Sequence, residues 1–374
     1  MTREGLPFKR VALIHYWLVS MRGGERVLER LLDLFPHADI FTHVYDPARV
    51  SQKIRSANVR QTFVGALPGA RRHYQKYLPF MPMALEELDL RGYDLVISSE
   101  SGPAKGVITS PDTLHLCYCH SPMRYLWDHY QDYKASAGAV SRIIMPAMFH
   151  RMRQWDVSSA NRVDTLVANS SFVARRIRKV WGREARVVHP PVMVDAFTPS
   201  GQISDRYLWA SQMTPYKRAD IALEAFNRLG VPALMVGDGE MFKFISANAG
   251  PNVEVRKRLS FQELKEAYAT CRALVFTPEE DFGIVPVEAN ASGRPVIAYG
   301  HGGVTDSILD GKTGLFFQEQ TVSALCEALQ RFDQWLPTFQ PEDAIHNARR
   351  FAPEVFDNGI LDALRSYRPI GEFA

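Results

Sequence analysis

Residues 271–300, CRALVFTPEEDFGIVPVEANASGRPVIAYG, restrict the fold of this chain more than any other stretch. The apolar run at 271–277 reads as a buried strand. A polar loop breaks it, and the spacing predicts a helix over about 284–292, stopped by Gly293. Pro295 then opens the next strand. Strand, loop, helix and strand make one βαβ unit. Its loop lies at the carboxyl end of a strand, where open α/β sheets bind ligands.

Two carboxylates, Glu280 and Glu288, bracket that loop. The first amides of a helix after Gly283 have no partner inside the helix, and the helix dipole favours an anion there. Glycine lets a phosphate come close to the backbone. Asp281, Phe282 and Ile284 complete the helix mouth. Carboxylates placed like Glu280 and Glu288 are good acceptors for paired sugar hydroxyls. The stretch therefore suits a nucleotide-sugar, with phosphate at its centre and polyols on both sides. A solvated acidic loop ahead of an ordinary helix is the plainer alternative.

The pattern E-x7-E, with Phe282-Gly283 after the first Glu, then EA-x-ASG-x-PVIA and a Gly302-Gly303 turn, resembles the signature of the retaining glycosyltransferases of the large family four. The resemblance runs over roughly residues 10–365. It implies an α/β chain of GT-B architecture: two Rossmann-like domains whose parallel sheets face each other across a cleft that holds the active site. Residues 1–190 would form the N-terminal, acceptor-binding domain, and 191–352 the nucleotide-sugar domain. A last helix, 353–374, would cross back to the first. The stiff Pro190-Pro191 pair marks the boundary.

Further candidates follow in chain order. Gly23-Gly24 sits where a first strand, 10–17, turns into an amphipathic helix carrying Val27, Leu28, Leu31, Leu32 and Phe35. The G-x-G-x-x-G of dinucleotide folds is absent, which argues against NAD. The family has a glycine-rich loop facing the donor phosphates at this point, and Gly23, Gly24 and Glu25 match it. The phrase CYCHSPMRYLWD resembles a subgroup that includes bacterial polysaccharide mannosyltransferases; there a histidine touches the donor sugar, a role that carries over to His120. Cys117 and Cys119 beside it lack a second ligand pair for a metal site.

In the second half, Thr214 and Pro215 predict a helix start that puts Lys217 and Arg218 in its first turn. Cations are unfavourable there, so an anion such as a diphosphate should compensate. The family places an Arg and a Lys five apart on the diphosphate. Lys217 matches the Lys, but Gln212 stands in the Arg position and brings no charge. Gly237 lies near the crevice, and Arg258 and Leu259 fall where the family borders the nucleotide base. Ser260 and Glu263 form a capping box.

Composition bounds the rest. With 374 residues, 46% hydrophobic and 23% charged, the chain suits two globular domains. No run approaches the roughly 18 apolar residues that span a bilayer. The opening MTREGLPFKR lacks a signal-peptide core, and four cysteines suggest a reducing cytosol. Residues 1–190 hold 27 Lys and Arg against 17 Asp and Glu; residues 191–374 hold 17 against 24. A basic first half suits an anionic lipid or diphosphate partner. Residues 71–83 and 142–155 mix basic, aromatic and apolar side chains as a membrane-surface face would, although Pro146 limits the second as a helix.

The family resemblance implies retaining, metal-independent transfer of a hexose to a polyprenyl-diphosphate-linked or oligosaccharide acceptor in bacterial polysaccharide synthesis, and the resemblance of residues 117–128 puts mannose from GDP-mannose first. Glu280, His120 and Lys217 would be the catalytic residues. The nucleotide-sugar is a substrate, so no cofactor is expected, and no nucleic-acid partner. The protein would be cytoplasmic, with the basic aromatic stretches allowing peripheral contact with the inner face of the plasma membrane. The alternatives are a UDP-sugar donor, a nucleotide-sugar 2-epimerase and a non-catalytic nucleotide-binding protein.

Overall fold

The computed structural model describes residues 8–366, with Ser136 described by its backbone alone. The chain divides into two compact units. One holds the residues up to His189 and those from Phe356 onward; the other is Pro190–Val355. The last helix, Pro353–Arg365, sends Phe356, Ile360, Ala363 and Leu364 into the core of the first unit. Residues 367–374, part of the expected return helix, lie outside the described residues.

Among the described residues the first unit has a seven-stranded parallel sheet, ordered β3-β2-β1-β4-β5-β6-β7. Its strands are β1 Val11–His15, β2 Asp39–Thr42, β3 Val59–Gln61, β4 Leu95–Glu100, β5 Leu114–Cys119, β6 Thr165–Ala168 and β7 Arg186–Val187. The sequence order reverses between β1 and β4. In register, Leu13, Ile97 and Leu116 form one row across β1, β4 and β5, and His15, Ser99 and Tyr118 the next. The first row is apolar because the Gly23–Leu34 helix packs Val27, Leu28 and Leu31 on that face. The second, at the carboxyl edge, is polar.

The second unit repeats the plan with six strands among the described residues, ordered β10-β9-β8-β11-β12-β13. They are β8 Tyr207–Ala210, β9 Ala233–Val236, β10 Val253–Arg256, β11 Leu274–Phe276, β12 Val296–Tyr299 and β13 Gly314–Phe317. Here the order reverses between β8 and β11. Carboxyl-end loops at such a reversal splay apart and leave a crevice.

Local chemistry explains the helix ends. Ser260 accepts from the Glu263 amide while the Glu263 carboxylate accepts from the Ser260 amide, the reciprocal cap expected. Ser170 and Thr321 cap their helices from the side chain. The Ile284–Ala291 helix follows Gly283 at φ 87° and ends before Gly293 at φ 69°.

Two expectations need correction. Pro146 does not interrupt its helix: Ala139–Ala160 runs unbroken over 22 residues. Both Pro146 and Arg142, whose carbonyl loses its helical donor, are exposed, so water can satisfy that carbonyl. Nor do Lys217 and Arg218 occupy the first turn of a helix. Pro215–Lys217 is a 3-10 turn, Arg218 is left-handed at φ 53°, and the α-helix begins at Ala219. The first-turn charge is Asp220, which suits the dipole.

Candidate active site

Lys217 and Glu280 follow the two strands between which the second sheet reverses its order, and His120 follows a strand at the carboxyl edge of the first. In the second unit Lys217 follows β8 and Glu280 follows β11, and their side chains form an ion pair. Lys217 is 8% exposed. Burial alone would discharge it, but the Glu280 carboxylate, helped by Tyr216, holds its pKa above the ordinary lysine value. A short relay fixes the backbone beneath it. Trp209 Nε1 donates to Thr277 Oγ1 at 3.0 Å, the Thr277 hydroxyl donates to the Lys217 carbonyl at 2.9 Å, and Gln320 Nε2 donates to the Thr277 carbonyl at 2.9 Å.

Glu280 is held from the other side by the Gly302-Gly303 turn. The Gly303 amide donates to the Glu280 carbonyl at 2.7 Å. A Cβ at Gly303 would lie 2.2 Å from the Asp281 carbonyl oxygen, and Gly302 adopts φ 87°. Only two successive glycines let this turn lie against the Glu280-Asp281 backbone. Gly283 opens the helix whose first amides face the same edge. Within that helix, Glu288 accepts from the Tyr268 hydroxyl at 3.0 Å. Tyr268, Thr277, Trp209 and Gln320 carried no readable signal in the chain.

The remaining candidates divide. Phe282 is a core residue, 4% exposed and 5.4 Å from the Phe351 ring, so only its backbone is open to a ligand. Arg218 is forked onto Asp220, with the closest contacts at 3.1 Å, so its charge is already answered. Asp281 and Ile284 are half-buried at the helix mouth, and Gln212 is exposed in the loop after β8. Gly237 is glycine for a packing reason: a Cβ there would lie 1.9 Å from the Ser211 carbonyl oxygen. Arg258 is exposed and 3.5 Å from Asp238. Leu259 lines a groove of about 440 Å³ with Ser204, Tyr207, Glu263 and Cys271. Ser204 and Tyr207 stand at the entry to β8, the opposite end of that strand from Lys217.

In the first unit His120 follows β5 and Gly23 and Gly24 are the first residues of the helix after β1. A Cβ on Gly24 would meet the Tyr16 hydroxyl at 2.4 Å, so close packing requires this glycine. His120 Nε2 lies 2.9 Å from Ser99 Oγ, and His15 Nδ1 lies 3.1 Å from the same oxygen. Enclosure pushes the His120 pKa down to about 3, with repulsion from His15 adding to it. Cys117 and Cys119 are buried in the sheet, and among the described residues no group of His, Cys, Asp and Glu is arranged to hold a metal ion.

Two parallel-sheet Rossmann-like units with polar clusters at their reversal points define a GT-B glycosyltransferase fold. The chain belongs to the group 1, family four glycosyltransferases: residues 204–337 match the family described as glycosyl transferases group 1, and residues 21–196 match glycosyltransferase family 4. Among its relatives, the alpha-1,3/1,6-mannosyltransferase alg2 of Schizosaccharomyces pombe is 26% identical over 342 residues, covering 74% of this chain and 64% of that one. A D-inositol 3-phosphate glycosyltransferase of Geodermatophilus obscurus is 28% identical over 189 residues, 41% of this chain and 42% of that one. The chain thus spans roughly half the length of the curated relatives it matches. Among solved structures, Anabaena HepE in complex with UDP and glucose superposes with a TM-score of 0.70 at 17% identity, covering 96% of this chain and all of that one.

Proposed function

We propose that this chain is a retaining glycosyltransferase that moves a hexose from a nucleotide-sugar to a lipid-linked or saccharide acceptor in bacterial polysaccharide synthesis, with no metal. The observation that carries this is the Lys217–Glu280 pair beside the Gly283-opened helix, at the reversal point of the second sheet. A departing diphosphate gathers charge. Lys217 and the free amides after Gly283 are suited to stabilise it. Glu280 would hold sugar hydroxyls, Glu288 the ribose hydroxyls, and His120 the sugar. Gln212 is neutral and Arg218 is forked onto Asp220; we assign the diphosphate to Lys217, whose partner Glu280 can turn to the sugar hydroxyls in exchange.

GDP-mannose is the first-choice donor, a reading helped by the mannosyltransferase among the relatives. A UDP-sugar is the second, helped by the UDP-glucose complex of HepE. A donor panel with nucleoside-diphosphate release, run with and without membrane lipid extract, tests both. Glu280→Ala and Lys217→Ala should each abolish release, and wild-type turnover in both would reject the site. An epimerase would instead interconvert UDP-N-acetylhexosamines without acceptor.

Peripheral contact with an anionic membrane is part of the proposal. Arg71, Arg72, Lys76, Phe80 and Met83 are exposed on one segment, and Val140, Arg142, Ile143 and Ile144 on another. Among the described residues no helix is long and apolar enough to cross a membrane. Flotation with anionic liposomes at low salt should retain the protein, and no retention would count against this face.

A further inference from the structure

His120 does not stand alone at its sheet edge. His15, Ser99 and His120 come from the ends of β1, β4 and β5, three neighbouring strands. Because His15 pairs with Ser99 and Ser99 with Tyr118 in register, and His120 is two residues beyond Tyr118, all four side chains leave the same face of the sheet. Glu25, from the first turn of the Gly23–Leu34 helix, closes the row. Glu25, His15 and Ser99 are each 1% exposed, whereas His120 keeps part of its surface open.

The row has a direction. A serine hydroxyl has one proton, and that of Ser99 lies between two imidazole nitrogens, His15 Nδ1 at 3.1 Å and His120 Nε2 at 2.9 Å. It must donate to one and accept from the other. Glu25 decides which. Its Oε2 accepts from the Arg22 amide at 2.8 Å, and its Oε1 lies 4.0 Å from His15 Nε2, a buried nitrogen with no hydrogen-bond partner among the described residues, on which it acts through its charge. Burial opposes ionisation of this carboxyl, but its contacts with His15 and the nearby amides hold it below the usual carboxylate range. A buried carboxylate favours a proton on the nitrogen that faces it. With that proton on His15 Nε2, His15 Nδ1 is an acceptor and takes the Ser99 proton. The Ser99 oxygen then accepts from His120 Nε2–H. The remaining nitrogen of His120, Nδ1, is left with a lone pair and has no protein partner among the described residues. An edge contact from Tyr118 to His120, 5.1 Å between ring centroids, and a tilted contact from Tyr16 to His15, 4.1 Å and 30° between planes, hold the ring planes.

We propose that Glu25, His15 and Ser99 are positioning residues that keep the proton of His120 on Nε2 and present its bare Nδ1 as the acceptor for a hydroxyl of the donor sugar. This rests on the sugar contact assigned to His120 above. It makes that contact selective: the site asks for a hydroxyl that donates, and it disfavours a deoxy or O-methylated sugar at that position, which leaves Nδ1 unanswered.

Two-bond proton–nitrogen correlation spectra of the full chain with 15N-labelled histidine read this directly. His120→Asn assigns the signal. At neutral pH the wild-type spectrum should show His120 protonated on Nε2 alone. A proton on Nδ1, or on both nitrogens, would overturn the proposal. Glu25→Gln should mix or reverse the His120 tautomer, and an unchanged His120 signal in that folded variant would remove Glu25 from its role. Ser99→Ala should lower kcat/KM for the donor by about tenfold, the worth of one hydrogen bond, and Ser99→Thr should recover most of it. Wild-type turnover in Ser99→Ala would also overturn the idea. If Ser99→Ala does not fold, the wild-type spectrum still decides. Full turnover by His120→Asn would refute the sugar contact instead. The spectrum is read without substrate, so the two failures separate.

Discussion

The Lys217 ammonium is bonded to the Glu280 carboxylate, 63 residues away along the chain. Neither group is free in water: the side chains are 10% and 22% exposed. Lys217 therefore depends on Glu280 to stay charged, and a donor that takes the lysine on its phosphate must offer the glutamate sugar hydroxyls in return. Removing one partner leaves an uncompensated, partly buried charge. Lys217→Ala and Glu280→Ala should each lose about 1–3 kcal/mol of stability, while the double variant loses less than the sum. Urea denaturation of the three variants measures this, and strict additivity would mean the pair is not coupled.

A second prediction concerns the Gly302-Gly303 turn. Gly303→Ala drives a Cβ into the Asp281 carbonyl and the Phe282 Cα, both backbone atoms that cannot step aside. The loop carrying Glu280 must shift, so donor KM should rise, and stability should fall by about 1–3 kcal/mol. Gly201→Ala, where nothing lies within 4 Å, is the control and should stay within about 0.5 kcal/mol of wild type. Equal behaviour of the two variants in donor kinetics and thermal melting would refute the account.

Buried histidines set the acid limit. His43 is bonded to Thr62 at 3.1 Å and to the Pro103 carbonyl at 3.0 Å, and burial pushes its pKa down to about 4. His115, against Ser98 at 2.9 Å, is pushed by burial down to about 3. Their unfolded pKa is about 6.5, so between there and the folded values the unfolded chain binds more protons. This contribution to stability is complete above pH 6.5 and is lost as pH falls toward 4, at about 1.4 kcal/mol per pH unit per histidine. Urea midpoints at pH 7.5, 6 and 5 should trace the decline, and His43→Asn should flatten it. An unchanged slope in that variant would exclude His43.

Lys105, Glu100 and Asp156 form a fully buried charge cluster in the first unit. Burial would discharge Lys105, but Asp156 and Glu100 hold its pKa above the ordinary value. The Ala104 and Lys105 amides donate to Glu100 at 2.9 and 2.8 Å, and Trp127 and Trp181 donate to Asp156 at 2.8 Å. The cluster ties the loop after β4 to the Ala139–Ala160 helix. Lys105→Met should cost about 3–5 kcal/mol, because two carboxylates stay buried with no cation. Calorimetry or chemical denaturation checks this, and a loss under about 1 kcal/mol would show that water reaches the cluster.

Much of this was legible in the chain because the signals are local. Strands buried on both faces read as continuous apolar runs, and β1, β4, β5 and β11 announce themselves so. The Ser260–Glu263 capping box is written in residues next to the turn it closes. The E-x7-E stretch placed Glu280 and Glu288 on either side of a helix mouth. The short strands β2 and β3 pass unread, since four and three residues are too few to declare a period. The start of the helix after β8 was misread because a proline-led 3-10 turn and a proline-led α-helix begin alike, and only the left-handed Arg218, tied to Asp220, separates them.

By itself, then, the order of residues determined two sheets, their crossover helices and the glycine-opened loop, because backbone geometry and burial period act over a few neighbours. The tertiary structure alone decided that Lys217 meets Glu280, that Thr277 and Trp209 brace them, that Phe282 turns inward, and that His15 and Ser99 stand between Glu25 and His120. These are meetings of strand ends far apart in the chain. Register and charge compensation in a low-dielectric interior select them, and neither leaves a pattern in sequence.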